Sequence, residues 1–483
     1  KSLFLSTLAA YFLGQKELFK GLYIEQAEEE LAAQENRTAW QEYPVLYLDF
    51  NVGKYTDSGA LNERLHVLLK DAETQYGIAP SKEEQPFSAS RFERLIKTAY
   101  RQIGRRVVIP VDEYDKPLLL TLEEGMEELN NEYRKILKGF FAVLKSSDPY
   151  LRFVFVTGVS RFSKISLFSD MNHLNDISLD RAFSTICGIT EKELHDNFRP
   201  EIGALAEAHH LSYEETLAHL KQRYDGYLFI ENGEHVYNPF SLLNAFSKKD
   251  FRDYWFQSGT PTFLVNYLKK AHYYLPDLEN NVEIDMSSLS DYRADASSPI
   301  PILFQAGYLT IKSYDPELDL YRLGYPNNEV KYGFIKNLLP SYTSLFIDDC
   351  RPLVARFYKD VRAGKVDEFM ERMQAIISSI PYDISDGNLT IRIAMDGDGS
   401  MQKQVCHANL QLKDVHGCTS LSKLREQNYQ TAVYLIFKLM GQFVQTEVHC
   451  ATGRSDCVVK TADTIYLFEF KLSGAGSAED ALE

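Results

Sequence analysis

Over its first two hundred residues the sequence alternates short, almost purely apolar runs with amphipathic segments, and this alternation constrains the fold more than any other feature. The runs at residues 44–50, 106–112 and 151–157 lack the polar–apolar alternation of a half-buried strand. Strands of this kind are buried on both faces, and helices between them cover a parallel sheet. We therefore predict an α/β fold. The helices are expected at residues 3–12, 91–102 and 126–145.

The remainder of the chain shows several different patterns. Residues 201–284 are mostly helical, and a short helix at 300–306 followed by two strand-like runs has the order of a winged-helix module. Residues 354–380 are helical, whereas the polar, Gly- and Asp-rich stretch 383–422 gives no readable pattern. A compact α/β unit closes the sequence. Its elements are a helix at 425–441 and strands near 444–449, 455–459 and 464–471.

Length and composition bound the possible functions. A chain of 483 residues predicts two to four domains at roughly 100–200 residues each. The formal net charge of −16 disfavours non-specific nucleic-acid binding by the whole surface, so a nucleic-acid site must be a local basic patch. No apolar run is long enough to span a membrane. The six cysteines are scattered and no signal peptide is evident, so we expect reduced thiols in a cytoplasmic protein.

Both ends of the sequence are expected to be clipped. The first residue is Lys1 rather than Met, and residues 478–483 read like the start of a helix.

The second apolar strand ends in two adjacent carboxylates, Asp112 and Glu113. In P-loop ATPases an Asp at this place orders the magnesium shell, and a following Glu polarises the attacking water. The alternative is an ordinary buried strand that ends in acids. Pro110 is unfavourable under either interpretation, because a central strand loses one ladder hydrogen bond at a proline.

Two further pieces fit a nucleotide site. Lys1 and Ser2 open an apolar helix, as the end of a phosphate loop does, with Lys for the β- and γ-phosphates and Ser for magnesium. After the third strand, Thr157 is placed to sense the γ-phosphate. Arg161 is placed to contact the same phosphate, either within the chain or from a neighbouring subunit, which allows a homo-oligomer. The alternative is a strand-to-loop turn with a solvent-facing Arg161.

The closing unit contains a second group of charged residues. Asp456 opens one short apolar strand, and Glu469 and Lys471 lie two residues apart on the next, so they share a face. Two carboxylates on neighbouring strands can hold a magnesium ion, and a nearby Lys can orient water for attack on a phosphodiester. Glu426, on the preceding helix, is a further candidate ligand. The alternative is an edge strand whose Glu469 and Lys471 only face water.

Other residues carry weaker signals. The pairs Cys406-His407 and His416-Cys418 match no zinc-ligand spacing and are read as ordinary polar-loop residues. His449 and Cys450 favour a packing role beside the closing strands.

In combination, the motifs resemble the prokaryotic AAA-ATPase-like family with a fused C-terminal nuclease of the PD-(D/E)XK superfamily. The resemblance implies that Asp112 and Glu113 are a Walker B pair and that a glycine-bearing Walker A loop precedes Lys1. It also implies that Asp456, Glu469 and Lys471 form the nuclease signature, with Glu426 as a further acid. The residues that carry it are 1–8, 112–117, 157–162, 224–227, 237–241, 258–262, 304–310, 453–456 and 468–471.

We therefore predict an ATP-hydrolysing switch that controls a magnesium-dependent nuclease acting on DNA or RNA. The expected domains are a P-loop ATPase at 1–200, a helical lid and winged-helix-like region at 201–345, and a restriction-endonuclease-like α/β domain at 346–483. The expected cofactors are ATP and Mg²⁺, with no membrane partner. One alternative is a nucleotide-binding regulatory protein whose nuclease-like module is inactive. Another is a DNA-binding regulator that acts through the winged helix, but residues 300–306 offer no basic face.

Overall fold

The structure is a computed structural model, which describes most of the chain. In the five strands between residues 389 and 472 it describes the backbone alone. Among the helices it describes, none is long and apolar enough to cross a membrane. The described residues are 1–79, 89–122, 125–159, 174–258, 264–265, 267–268, 271, 273, 275–279, 282–290, 298–343, 345–378, 389–397, 404–409, 431–441, 445–451, 454–460 and 464–472.

The chain forms two compact units, and the first comprises Lys1–Cys187 and Asp285–Ala306. Its centre is a three-stranded sheet in the order β1-β2-β3, and both pairings are parallel. Every residue of β2 is buried, which is why this run shows no polar–apolar alternation. The α/β prediction is confirmed for this unit. The strands are β1 (Leu48–Asp49), β2 (Val107–Asp112) and β3 (Leu151–Val156).

Pro110 lies in the middle strand of this sheet without ending it. In a parallel ladder alternate residues face the same neighbour, and Val108 exchanges hydrogen bonds with the segment that leads into β1. The missing N–H of Pro110, two residues later, therefore falls on the side of β1. This accounts for the shortness of β1, which is preceded by a separate bridge between Val45 and Val108.

Helices cover both faces of this sheet, as the apolar strands predicted. Val107, Ile109 and Val111 contribute to the larger core, whereas Val108 packs with Ala9 and Phe12 of the first helix on the other face. In the larger core Phe92 stacks on Phe140 with ring centroids 4.5 Å apart. The helices of the unit are α1 (Ser2–Phe12), α2 (Tyr23–Gln34), α3 (Ser58–Gln75), α4 (Ala89–Ile103), α5 (Lys116–Leu120), α6 (Glu127–Ser146), α11 (Met286–Ser290) and α12 (Ile300–Gln305).

The second unit comprises Gly188–Ile284 and Gly307–Glu483 and begins with the predicted helical stretch. Capping boxes start two of these helices: Thr190 pairs with Glu193, and Ser212 pairs with Glu215. A short antiparallel pair, β4 (Ile189–Thr190) with β5 (Val236–Tyr237), lies among them. The helices are α7 (Glu191–Asn197), α8 (Arg199–His209), α9 (Tyr213–Tyr224) and α10 (Pro239–Lys248).

The helix and hairpin expected near residue 300 both form. The helix is α12, and the hairpin strands are β7 (Thr310–Asp315) and β8 (Leu320–Gly324), with β6 (Val282–Ile284) pairing on the other side of β8. Residues 288–298 were expected to be a loop, but the end of α11 occupies the beginning of that stretch. The winged-helix assignment stays a prediction.

The predicted helix at 354–380 is two helices, and they follow a third one. These are α13 (Asn328–Tyr342), α14 (Ile347–Arg362) and α15 (Val366–Ser378). A further helix, α16, spans residues 431–440 and is buried throughout.

A five-stranded antiparallel sheet completes the second unit, in the order β10-β9-β13-β12-β11. Its last three strands lie where the sequence predicted them. The first two lie inside the stretch 383–422 that gave no readable pattern. The strands are β9 (Leu389–Gly397), β10 (Gln404–Asn409), β11 (Gln445–Ala451), β12 (Arg454–Lys460) and β13 (Thr464–Leu472).

A buried carboxyl in α13 makes the stability of the second unit depend on pH. Glu329 accepts a hydrogen bond from the Trp255 backbone N–H at 3.0 Å, while its Oε2 has no hydrogen-bond partner in the described part of the chain. Burial raises the pKa of Glu329 from 4.5 to about 7. The folded state therefore binds this proton more tightly than the unfolded chain does, and stability falls as pH rises from 4.5 to about 7.

We expect Glu329→Gln to remove this pH dependence. The neutral amide keeps the bond from Trp255 and carries no charge to desolvate, so the variant should be more stable than wild type above pH 7, by on the order of 3 kcal/mol. Near pH 5 the difference should shrink. Urea unfolding at pH 5 and pH 8 measures both values. Equal stabilities at pH 8 would show that Glu329 is not the titrating group.

Candidate functional site

The carboxyl ends of the three parallel strands meet at one edge of the sheet, which is where α/β proteins place ligand sites. Asp112 ends β2 and is buried. The Thr157 hydroxyl donates to Asp112 Oδ1 at 2.8 Å, and the Tyr47 hydroxyl donates to Oδ2 at 3.4 Å. Burial, and then the negative charge of Asp112, raise the pKa of Tyr47 to about 12, so Tyr47 stays a donor. The Asp112 carboxylate is therefore held from both sides.

Glu113 follows in an unusual backbone conformation. Its φ of 52° is in the left-handed region, which is uncommon and costly for a residue with a long side chain. Burial raises the pKa of the Glu113 carboxyl, and the positive charge of Lys1 opposes that shift. The two groups are thus electrostatically coupled. A carboxyl with a raised pKa is suited to accept a proton near neutral pH.

The start of α1 reaches the same edge. Lys1 Nζ donates to the carbonyl oxygen of Gly158 at 2.5 Å, directly after Thr157. Ser2 is the first residue of α1 and is exposed. Within the described residues no side chain caps the first turn of this helix. Backbone N–H groups at a helix N-terminus, with a lysine ammonium beside them, form a favourable environment for phosphate.

Asp115 fastens the loop after β3 to the loop after β2. It is fully buried, and its Oδ1 accepts a hydrogen bond from the Val159 backbone N–H at 3.1 Å. The two loops come so close that residue 158 must be glycine, because a Cβ there would lie 2.5 Å from the Tyr114 ring and 2.6 Å from Asp115 Oδ1. Sequence reasoning assigned roles to neither Asp115 nor Tyr47. The acidic run Asp112-Glu-Tyr-Asp115 could have indicated a role for Asp115, whereas no sequence pattern indicated one for Tyr47.

The donor chemistry of this edge fits a nucleotide with magnesium. Among the side chains that the structure describes, no group of three His, Cys, Asp or Glu residues could hold a metal ion by itself. Magnesium keeps several waters and is commonly bound through one or two protein oxygens together with substrate phosphates. Asp112 and Ser2 offer oxygens of that kind, and Lys1 offers a cation for the phosphates.

The nuclease-like residues lie in the five-stranded sheet. Asp456 of β12 is directly opposite Glu469 of β13, and Lys471 follows two residues later, so the three positions share one face of the sheet. Arg161 and Glu426, the remaining candidate site residues, lie outside the described part of the chain.

Three comparisons with known proteins bear on these sites. Residues 1–168 match a family described as predicted AAA-ATPases, and residues 424–483 match the PD-(D/E)XK nuclease superfamily. An uncharacterized protein in the vnfD 5′ region of Azotobacter chroococcum mcd 1 is 34% identical over 486 residues, covering 100% of this chain and 82% of its own length. No solved structure matches the chain.

Proposed function

The chain belongs to the AAA-ATPase-like family that carries a C-terminal PD-(D/E)XK nuclease superfamily domain, and on this premise we propose that it is an ATP-driven switch for a magnesium-dependent nuclease. The observation that carries the ATP half is the convergence of Lys1, Asp112 and Thr157 at the carboxyl edge of the parallel sheet. It supports a phosphate site next to a buried carboxylate.

In this proposal Lys1 and the first turn of α1 bind the phosphates of ATP. Ser2 and Asp112 would hold the magnesium, and Thr157 and Tyr47 hold the Asp112 carboxylate in place. Bound magnesium would neutralise the charge that develops on the phosphates. Arg161 would contact the γ-phosphate, within the chain or across a homo-oligomer.

Glu113 orients the attacking water and accepts its proton. The raised pKa of this carboxyl strengthens it as a base, and it must be ionised to act. The nearby cation of Lys1 favours the ionised form. The strained left-handed backbone at Glu113 supports this role, because the strain is tolerated where the carboxyl must be held in one position.

The nuclease half is proposed to act on DNA or RNA through Asp456, Glu469 and Lys471, with Glu426 as a further acid. The two carboxylates would hold the metal, which would polarise a phosphodiester and activate water when bound. Lys471 would orient that water. The register between Asp456 and Glu469 supports this assignment, because directly opposed residues are one strand spacing apart.

The two halves are proposed to communicate through nucleotide-dependent changes in the region 201–345 that precedes the nuclease-like segment. We propose the same three functional regions as domains, 1–200, 201–345 and 346–483, and a cytoplasmic location. A nuclease under such control fits a chain of net charge −16, which is poorly suited to unspecific scavenging of nucleic acid.

The experiment that tests the proposal compares cleavage of single- and double-stranded DNA and RNA with and without ATP, in the presence of magnesium. A cleavage rate that changes with ATP supports an ATP-controlled nuclease. Nucleotide binding without any cleavage, under any condition, would instead favour a regulatory protein with an inactive nuclease-like module.

A further inference from the structure

A shielded carboxylate connects two parts of the second unit that lie far apart in the chain. Glu279 follows the short 3₁₀ helix Leu275–Leu278, whose two leucines are buried in the region 201–345. Its side chain contacts α16, which lies within the residues 424–483 that match the nuclease superfamily. The contact therefore joins the region proposed to transmit the nucleotide state to the nuclease-like segment.

Three groups surround the Glu279 carboxylate, and two of them come from α16. Lys438 Nζ lies 2.7 Å from Oε2, and the Tyr434 hydroxyl donates to Oε1 at 2.8 Å. These two residues are four positions apart on a helix, so they share one face of α16. The third group is Lys331 of α13, whose Nζ lies 3.3 Å from Oε1. We call these four residues the Glu279 cluster.

The Glu279 cluster is largely shielded from water. The side chain of Lys438 is 10% exposed and that of Glu279 is 20% exposed, while Tyr434 is buried. Burial acts to raise the pKa of Glu279, but the positive charges of Lys331 and Lys438 outweigh it and hold the pKa below its usual value. Glu279 is therefore ionised near neutral pH, and its attraction to Lys438 is only weakly screened by solvent.

The second cation of the cluster allows the contact with α16 to be broken. Removing one partner of a buried ion pair is costly when it leaves the other charge uncompensated. Glu279 would keep Lys331 as its partner if α16 moved away, and the long side chain of Lys438 could then extend to solvent. The cluster can therefore exist in two arrangements, with α16 held or released.

The cluster lies between the three-stranded sheet of the region 201–345 and the helices that follow that region. Glu279 comes shortly before β6, and Lys331 lies in α13, which follows β8. Since β6 and β8 are paired, a movement of this sheet would shift both residues relative to α16. In α16, the Phe437 ring contacts Phe369 of α15 with centroids 5.9 Å apart, so a shift of α16 would also reach α15.

We propose that the Glu279 cluster is the connection through which ATP binding controls the nuclease-like segment, with Glu279 as a positioning residue for α16. The inference rests on the proposed function and names the residues that carry its regulation. In one nucleotide state Lys438 and Tyr434 hold α16 against the region 201–345, and in the other state they release it.

The test is hydrogen exchange of the backbone amides of residues 431–440 in the whole protein, with and without magnesium and a non-hydrolysable ATP analogue. In wild type we expect the analogue to change the exchange rate by about fivefold or more, the range of ordinary coupling between two sites. Lys438→Met removes the connecting cation, keeps the apolar stem and leaves Glu279 paired with Lys331. In this variant the change should fall below about twofold, while the analogue still binds as it does to wild type.

Two further variants make the test specific. Glu279→Gln removes the same attraction from the other side and should also lose the response, so the test does not depend on the folding of one variant. Glu283→Gln is the matched control, because it makes the same chemical change in an exposed ion pair with Arg322. It should retain the full response. The dependence of nucleic-acid cleavage on ATP should be lost and retained in the same variants.

The outcomes distinguish this inference from the proposed function. A response of α16 that persists in Lys438→Met and Glu279→Gln overturns the inference, and so does a response that is lost equally in Glu283→Gln. A wild-type α16 that does not respond, although cleavage depends on ATP, overturns it as well. Each of these results leaves ATP control of the nuclease intact. Wild-type cleavage at one rate with and without ATP overturns the proposed control and, with it, this inference.

Discussion

Replacing Glu113 by Gln should lower the rate of ATP hydrolysis by about two orders of magnitude or more while ATP binding is retained. The amide keeps the size of the side chain but cannot accept a proton, and a positioned general base typically contributes about 10²–10⁴-fold. Phosphate release under saturating ATP measures the loss, and calorimetry measures the retained binding. Glu128→Gln makes the same chemical change at an exposed position of α6 and serves as the matched control.

The pH dependence of wild type gives a second readout of the same residue. Because burial raises the pKa of Glu113, the ionised base is lost as pH falls through a value above the usual 4.5 of a glutamate. Hydrolysis should therefore decline on the acid side at a higher pH than for an ordinary carboxylate. Equal, slow hydrolysis by wild type and Glu113→Gln would refute the enzymatic role of this half.

Metal-dependent cleavage of nucleic acid should be lost in Lys471→Ala. The lysine is proposed to orient the attacking water, and removing a side chain that positions or activates the attacking group typically costs about 10²–10⁴-fold in rate. Lys460→Ala removes an equal charge from the same face of the sheet and is the control for weakened substrate binding. Gel-based cleavage with magnesium or manganese measures both variants.

Metal binding by the two variants shows whether a loss of cleavage comes from a lost metal ligand or from the loss of Lys471 itself. Lys471→Ala should still bind the metal, whereas Glu469→Gln should bind it less tightly, since only the latter removes a ligand. Cleavage that persists in Lys471→Ala at the wild-type rate would show that this lysine has no part in the reaction.

Much of the first unit follows from its sequence because burial on both faces leaves a clear local signature. The three apolar runs and the helices expected at residues 3–12, 91–102 and 126–145 fall within a few residues of their expected positions, and β2 ends at Asp112 as predicted. Helices α2 and α3 were not predicted. The effect of Pro110 on the sheet could not be predicted from the local sequence. Its lost hydrogen bond shortens the pairing with β1, but packing in the middle of the sheet keeps β2 continuous.

The hydrogen bonds that hold the candidate nucleotide site together could not be predicted from the sequence, because they join residues far apart in the chain. Tyr47 reaches Asp112 across 65 positions, and Asp115 reaches Val159 across 44. Neither spacing corresponds to a helix or strand period, so only the assembled sheet brings the partners together.

Strand β9 was missed for a different reason. Its apolar residues alternate with Thr390, Arg392 and Asp396, but the Gly- and Asp-rich surroundings obscured this short pattern. The placement of Arg392 beside Glu469 depends on the pairing of β9 with β13.

Control of the nuclease by the bound nucleotide is tested by measuring the rate of nucleic-acid cleavage by Glu113→Gln with and without ATP. This variant should hold ATP without hydrolysing it, which isolates the effect of the bound state. We expect the two rates to differ by about fivefold or more, the range of ordinary coupling between two sites. Measurable cleavage at one rate, whether or not ATP is bound, would show that the nucleotide state does not control the nuclease.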